Sequence, residues 1–397
     1  MKPARESFDV AVVGGGSAGL AAAIMAAREG ARTILLERHG YAGGMGTASL
    51  VHTFCGLYLL RDEPGAVLAN PGFPSEMAER MIAATGIGPV RMGRVDVLPQ
   101  HPVEFVRITD ELIAAEPLLT LRLHSEVTAI DRGDEWNIEI SGRSGVRSIA
   151  ARNLVDASGD EVVAALLGAE AGMVDSPRLQ RPAYVFGVHR MGLLGEAERL
   201  ETAGLIMEGI RSGIVPPDAM GLTFRSSGRM AEVFGTLDLS GGENYDPLDA
   251  GCLTRLETDG RAIASKAITW LAGKSGIWKG AYITHWPVRA GVRESRRWKG
   301  QAVLTGDDLL TGKRFDDEIA LATWPMEFRE SARGPKLRFP EGNRPAGIPF
   351  GCLKPQGIER LFVAGRCIST DHEAQASIRV MGTCFATGQA AGRAAAT

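Results

Sequence analysis

Phe8-Asp9-Val10-Ala11-Val12-Val13-Gly14-Gly15-Gly16-Ser17-Ala18-Gly19-Leu20-Ala21-Ala22-Ala23-Ile24-Met25-Ala26-Ala27-Arg28-Glu29-Gly30 is the stretch on which the reading of this chain turns. Phe8 to Val13 is a short apolar run ending at glycine, the pattern of a buried parallel strand. Ser17 to Glu29 is alanine-rich and reads as a helix closed by Gly30. Arg32 to Leu36 reads as a second strand, which completes a β-α-β unit. Gly14, Gly16 and Gly19 form a G-x-G-x-x-G between strand and helix. The first permits the tight turn, the second lets a pyrophosphate approach the helix N-terminus, and the third lets helix and strand pack closely. Glu37 ends the second strand about twenty residues on, where a carboxylate can accept hydrogen bonds from ribose hydroxyls.

The motif alone does not separate FAD from NAD. Gly43-Gly44 and Thr47 follow Glu37 closely, Asp156-Ala157-Ser158-Gly159-Asp160 closes a later strand, and Ala364-Gly365-Arg366 closes another near the C-terminus. A large cofactor lying across one domain needs several such backbone approaches, which favours FAD. No second G-x-G-x-x-G follows, so a separate NAD(P)H domain is not expected. The expected cofactor contacts are Gly14, Gly16, Ser17, Ala18, Gly19, Glu37, Arg38, Gly43, Gly44, Met45, Thr47, Val127, Ser158, Gly159, Gly365, Arg366, Gly382 and Thr383.

The 397 residues are enough for two domains of ordinary size. A 45% hydrophobic and 23% charged composition is that of a globular protein, and a net charge of -3 offers no basic field for nucleic acid. The five cysteines, Cys55, Cys252, Cys352, Cys367 and Cys384, show no metal spacing and read as reduced thiols in a cytoplasmic protein. No metal is expected. The uncharged run Val10 to Ala27, preceded by Lys2 and Arg5, superficially resembles a signal peptide or span. Its four glycines and the preceding Glu6 and Asp9 fit a strand, turn and helix better.

Along the chain, Gly40 to Gln100 reads as loops with a helix near Pro74 to Ala84, and Val103 to Ala115 as a helix. Leu119 to Leu123, Glu126 to Ile130, Trp136 to Ile140 and Val146 to Ala150 read as an antiparallel meander. Asn153 to Ala157 reads as a further short strand and Val162 to Leu167 as the start of a helix. Ala183 to Met191 and Arg229 to Leu239 alternate like strands, and Pro247 to Ala272 reads as a long helix. Arg360 to Ala364 reads as a strand and Ser377 to Ala396 as a final helix. The expected fold class is α/β. A Rossmann-like FAD-binding domain with parallel sheet and meander is built from residues 1–180 and 346–397, and a mixed α+β substrate domain, 181–345, is inserted between them.

The segment Gly14 to Thr47 resembles the glutathione-reductase-like flavoprotein superfamily. Two further segments resemble the branch called FAD-dependent oxidoreductases. One is Gly291-Val292-Arg293-Glu294-Ser295-Arg296-Arg297 with Leu304-Thr305-Gly306-Asp307-Asp308. The other runs from Ile348-Pro349-Phe350-Gly351-Cys352-Leu353, through Leu361 to Ser369, to Ser377-Ile378-Arg379-Val380-Met381-Gly382-Thr383-Cys384. The family is distantly similar to fumarate-reductase and succinate-dehydrogenase flavoproteins, so the resemblance implies redox chemistry and a flavin, not a substrate. In the family pattern a His is common where Gln375 stands and a Pro where Gly382 stands. Gln375 cannot share any role such a His has as a base.

Arg289, Arg293, Arg296 and Arg297 form an arginine cluster. In an extended segment Arg289, Arg293 and Arg297 share one face. Such forks suit a substrate carboxylate, with Arg293 and Arg296 as candidates, or a salt-bridge set with Glu294 and nearby acids. His372 lies between Arg366 and the last helix, where the resemblance places the flavin ring. It reads as base, substrate partner or plain loop residue, and His52 admits the same alternatives. The expected function is two-electron oxidation or reduction of a small, carboxylate-bearing organic substrate at flavin N5. The alternatives are a flavin-dependent monooxygenase and a non-catalytic carrier built on the flavin fold. A small-molecule substrate is the expected partner, not nucleic acid or membrane, and a homo-oligomer is left open.

Overall fold

A computed structural model describes residues 6–190, 194–242, 244–331 and 334–397. Lys2, Arg5 and Met191, which entered the readings above, lie outside the described residues. The opening β-α-β unit forms as its patterning requires, with strand Glu6–Val13, helix Ser17–Arg28 and strand Thr33–Leu36. All but the last residue of that helix are buried. The helix is therefore built from alanines and glycine rather than from one apolar stripe, because sheet and helices enclose it on every side.

The main sheet has seven strands. Leu119–Arg122, Thr33–Leu36, Glu6–Val13, Gly145–Asp156, Trp136–Gly142 and Glu126–Arg132 lie in that order, and Leu361–Val363 also pairs with Gly145–Asp156. Pairing is parallel on one side and antiparallel through the last two strands of the order. In register, Val13 sits beside both Leu36 and Asp156, and Asp156 beside Val363. Four carboxyl ends therefore reach one edge of the sheet together. In open α/β sheets that edge is where ligands bind.

Three expectations need correction. Leu119–Arg122 pairs parallel with Thr33–Leu36 and is not part of the meander. Asn153 to Ala157 is not a separate strand: it is the end of one strand, Gly145–Asp156. Its first four residues are exposed and most of the rest are buried, because the strand leaves the meander and enters the parallel core. The change in patterning looks like a boundary although the backbone runs on. Gly40 to Gln100 is more than loops and a helix, since Thr53–Phe54, Val95–Pro99 and Val90–Met92 form a small antiparallel sheet.

The final helix is two helices, His372–Ile378 and Met381–Ala396, broken at the extended Val380. The second lies directly on the glycine-turn helix. A methyl group on Gly388 would stand 2.1 Å from the carbonyl oxygen of Ala18, and one on Gly392 would stand 2.2 Å from that of Ala22. Two glycines one turn apart thus let the backbones of the first and last helices approach.

A second core gathers around a four-stranded antiparallel sheet: Thr223–Ser226, Glu232–Asp238, Ala183–His189 and Tyr282–His285. Helices Glu196–Arg211 and Ala250–Lys274 cover it. Its buried members run from Leu179 to Ala290. Trp298, Leu304, Met326, Phe328 and Ile348 pack into the first core instead. The second core thus ends near residue 290, short of the boundary at 345 expected for the inserted domain. Between Trp298 and Arg344 the described residues form short strands, the short helix Gly306–Thr311 and turns, and nothing in their pattern reveals which core they join. Among the described residues no helix is long and apolar enough to cross a membrane.

Candidate functional site

One cavity opens at the carboxyl edge of the main sheet and runs to the sheet of the second core. At its outer end lie Val13, Gly14, Gly16, Ser17 and Ala18 from the opening unit. Leu36 ends the second strand, Glu37 and Arg38 follow it, and Ser125, Glu126 and Val127 come from the start of the meander. Gly14 has φ +95°, and a methyl group there would stand 2.7 Å from the carbonyl oxygen of Ala157. Only glycine makes this turn against the neighbouring strand end. A methyl on Gly16 would meet nothing closer than Gly44 Cα at 3.9 Å. The space in front of Gly16 is open.

Helix Ser17–Arg28 starts at that space, and no side chain caps it. The first N–H groups of a helix have no intrahelical partner, and together with the helix dipole they favour an anion. Glu37 is buried, its carboxylate accepting from the backbone N–H of Gly15 at 2.8 Å and of His39 at 2.8 Å. It is thereby held at the cavity wall with further lone pairs to offer a ribose. Arg289 also reaches this end. Burial pushes its guanidinium pKa down to about 10, and its Nε is buried without a hydrogen-bond partner among the described residues. An uncapped helix start, an open approach at Gly16, a fixed carboxylate and an unspent arginine fit a dinucleotide diphosphate.

Of the residues expected at the cofactor, Gly14, Gly16, Ser17, Ala18, Glu37, Arg38, Gly44, Met45, Val127, Ser158, Gly159, Gly365 and Arg366 line the cavity. The others do not. Gly19 packs on the turn, where an added methyl would stand 1.8 Å from the Gly14 carbonyl oxygen. Gly43 donates its N–H to the Gly15 carbonyl at 2.8 Å, and Thr47 donates its hydroxyl to the Ala42 carbonyl at 2.9 Å. These two brace the glycine turn from behind. Gly382 donates to the Cys55 carbonyl at 2.9 Å, and Thr383 is fully buried. Arg366 is spent on protein oxygens: Gly159 carbonyl at 2.8 Å, Asp160 carboxylate at 2.5 Å and the Val292 carbonyl. It clasps three wall segments together. Burial pushes the Asp160 pKa up, but Arg366 and Arg289 outweigh it and hold the carboxyl below its usual range.

The arginine cluster disperses. The segment is not a regular strand, so a four-residue spacing does not keep one face. Arg293 lines the inner cavity and pairs with Asp238 at 2.8 Å. Arg296 is outside the lining and bonds the Asp160 carbonyl at 3.1 Å. Arg297 pairs with Glu294 at 2.6 Å. His372 is likewise outside the lining. It is buried, with Nδ1 2.8 Å from the same Glu294 carboxylate. Arg296 and His372, expected at the catalytic centre, thus hydrogen-bond to protein oxygens beside the cavity and not on its wall.

The histidine on the cavity wall is His52. Its ring stacks on Phe234 at 4.8 Å, and Nδ1 lies 3.2 Å from the Leu50 carbonyl. A carbonyl only accepts, so Nδ1 carries the hydrogen and Nε2 the lone pair. Burial pushes its pKa down to about 4, which keeps the ring neutral at physiological pH. Arg225, Glu327, Arg329 and Arg379 complete the inner wall. None was singled out in the sequence, because three separate segments supply them. The only local sign was Arg379 inside a family-like motif.

These features define a Rossmann-type dinucleotide-binding fold whose cavity continues to the sheet of the second core. The chain belongs to the FAD dependent oxidoreductase family, whose model matches residues 9–397, and its cofactor is FAD. Uncharacterized proteins of Mycobacterium tuberculosis and Mycobacterium bovis are 37% identical over 99 residues, 23% of this chain. The match spans only 18% of the length of those curated relatives. Among solved structures, a geranylgeranyl bacteriochlorophyll reductase-like protein from Thermoplasma acidophilum is similar with TM-score 0.50 and 13% identity. That match covers 99% of this chain and 77% of the other. The anhydrotetracycline hydroxylase OxyS from Streptomyces rimosus is similar with TM-score 0.44 and 16% identity, covering 75% and 54%.

Proposed function

We propose that this chain carries out two-electron oxidation or reduction of a small organic acid. The observation that carries this reading is the continuity of one cavity from the uncapped helix start at Ser17 to the arginine-walled inner end. When bound, FAD supplies the two-electron acceptor or donor at N5. The chain's own residues do the rest. Gly16 and the first turn after it receive the diphosphate, Glu37 receives the adenosine ribose, and Arg289 adds a cation beside them. Helix Met381–Ala396 begins at the cavity wall, where Val380 and Met381 line it. Its N-terminal dipole favours negative charge at the inner end.

On the opposite wall, Ala183 and Val185 from one strand, Thr236 from its neighbour and Thr223 from the strand beyond place the second core over the inner end of the cavity. We take this unit, Leu179 to Ala290, as the substrate domain. His52 is the histidine we assign to the substrate side, as a neutral hydrogen-bond acceptor through Nε2. The five free cysteines support a reducing compartment such as the cytoplasm.

Anaerobic mixing of the FAD-loaded protein with a panel of hydroxy, amino and saturated acids tests the reading. Bleaching of the flavin band by one member, with stoichiometric product, is the expected result. Oxygen-dependent hydroxylation would replace the reading with the monooxygenase alternative. A flavin that no organic or nicotinamide donor reduces would leave the carrier alternative.

A further inference from the structure

The inner end of the cavity carries more positive charge than the protein neutralises. Arg225, Arg293, Arg329 and Arg379 line it, and Asp238 and Glu327 are the carboxylates paired there. Arg293 pairs with Asp238 at 2.8 Å, and Arg329 pairs with Asp238 at 2.7 Å and Glu327 at 2.6 Å. The remaining lone pairs of Glu327 are drawn on by the Trp324 indole at 2.9 Å. Glu294, whose charge also acts on Arg379, is committed to Arg297 and His372.

Two guanidiniums are left over. Arg225 approaches the Met92 thioether at 3.6 Å and has no carboxylate partner among the described residues. Arg379 donates one long hydrogen bond, 3.3 Å, to the Glu327 carbonyl, and its Nε is buried with no hydrogen-bond partner among the described residues. Burial lowers the pKa of both, and the neighbouring Cys55 offers no counter-charge, since burial pushes its thiol up to about 12. Both guanidiniums are partly buried and feel the Glu327 carboxylate that Arg329 already holds, so four arginines share two carboxylates and the chamber favours an anion. A guanidinium fork matches a carboxylate in two parallel hydrogen bonds.

We propose that Arg225 and Arg379 together hold a carboxylate of the substrate, with Arg293 and Arg329 kept in place by Asp238 and Glu327. This rests on the reading of the cavity as a flavin redox site and replaces Arg293 and Arg296 as the acid-binding pair. It also sets the substrate class: small carboxylic acids, whose reacting carbon lies toward the nucleotide end.

The test titrates succinate and benzoate into FAD-loaded protein, with succinamide and inorganic phosphate as comparisons. Perturbation of the flavin visible band and the thermal midpoint are read independently. The carboxylates should bind, and succinamide and phosphate should bind at least about tenfold more weakly. Arg225→Met and Arg379→Met should each weaken succinate at least about tenfold while FAD content is unchanged. If either variant loses FAD, Arg225→Lys and Arg379→Lys keep the charge and should show a smaller loss of binding. Absence of carboxylate binding, equal binding of succinamide, tighter binding of phosphate, or unchanged affinity in the variants overturns the proposal. Photoreduction of the bound flavin is measured in the same samples. A flavin that cannot be reduced would sink the redox reading while leaving acid binding intact.

Discussion

Glu161 shows how a single residue can oppose its own ionisation. It is fully buried, at positive φ, and neither carboxylate oxygen has a hydrogen-bond partner among the described residues. Burial, reinforced by Asp156, pushes its pKa up to about 8. The folded protein therefore holds a proton there that the unfolded chain releases near the ordinary carboxylate pKa. A raised folded pKa contributes stability below the unfolded value, and that stability is lost as pH rises toward about 8. Glu161→Gln should match the parent near pH 4.5 and exceed it in thermal midpoint above pH 8. Parallel midpoint curves across that range would show that the carboxyl is not protonated in the fold.

His372 and Glu294 act oppositely. Glu294 is inaccessible, and burial, which raises its pKa, is outweighed by the His372 hydrogen bond and Arg297, leaving it lowered. Removing one partner from a buried carboxylate costs about 1–3 kcal/mol. His372→Ala should lower the thermal midpoint by several degrees and leave the flavin content and reduction rate close to the parent's. A large fall in rate with an unchanged midpoint would return His372 to the catalytic centre.

At the scale of elements, the first and last helices meet through backbone. Gly388 and Gly392 have no room for a side chain against Ala18 and Ala22. Gly388→Val should prevent that approach, tilt the helix that carries the glycine turn, and cost stability and FAD together; cofactor release without any fall in midpoint would contradict this. The alanine-rich helix after Gly19 and the small-residue helix at the C-terminus were both visible from the sequence. Their contact was not, since 370 residues separate Ala18 from Gly388. The same limit explains the rest. The nucleotide end was legible because Gly14, Gly16 and Glu37 sit within one β-α-β unit whose spacing is set by local geometry. Arg225, Glu327, Arg329 and Arg379 meet only once two sheets have closed over the cavity, and no local pattern encodes that meeting. The Glu294 partner of His372 was not legible either, because a motif places a residue in the chain, whereas a partner 78 residues away in sequence holds the ring.

For the molecule as a whole, the cavity is the place where distant chain segments converge: the segments 13–18, 36–38, 125–127, 157–162, 289–293 and 364–366 each contribute residues to its walls. A ligand that touches all of them binds only when they are assembled, so its binding free energy adds to folding stability. At one hundred times its dissociation constant such a ligand contributes about 2.7 kcal/mol. Protein stripped of flavin should unfold several degrees lower than the loaded form, and its midpoint should rise with added FAD. FMN should restore little, because it lacks the adenosine ribose that Glu37 is placed to hold and the second phosphate. Gly16→Val fills the open approach in front of the helix start. It should keep a native far-UV circular dichroism spectrum yet show no midpoint response to FAD. A variant that still gains stability from FAD to the parent's extent would mean that the diphosphate lies elsewhere in the cavity and that the uncapped helix start serves another end.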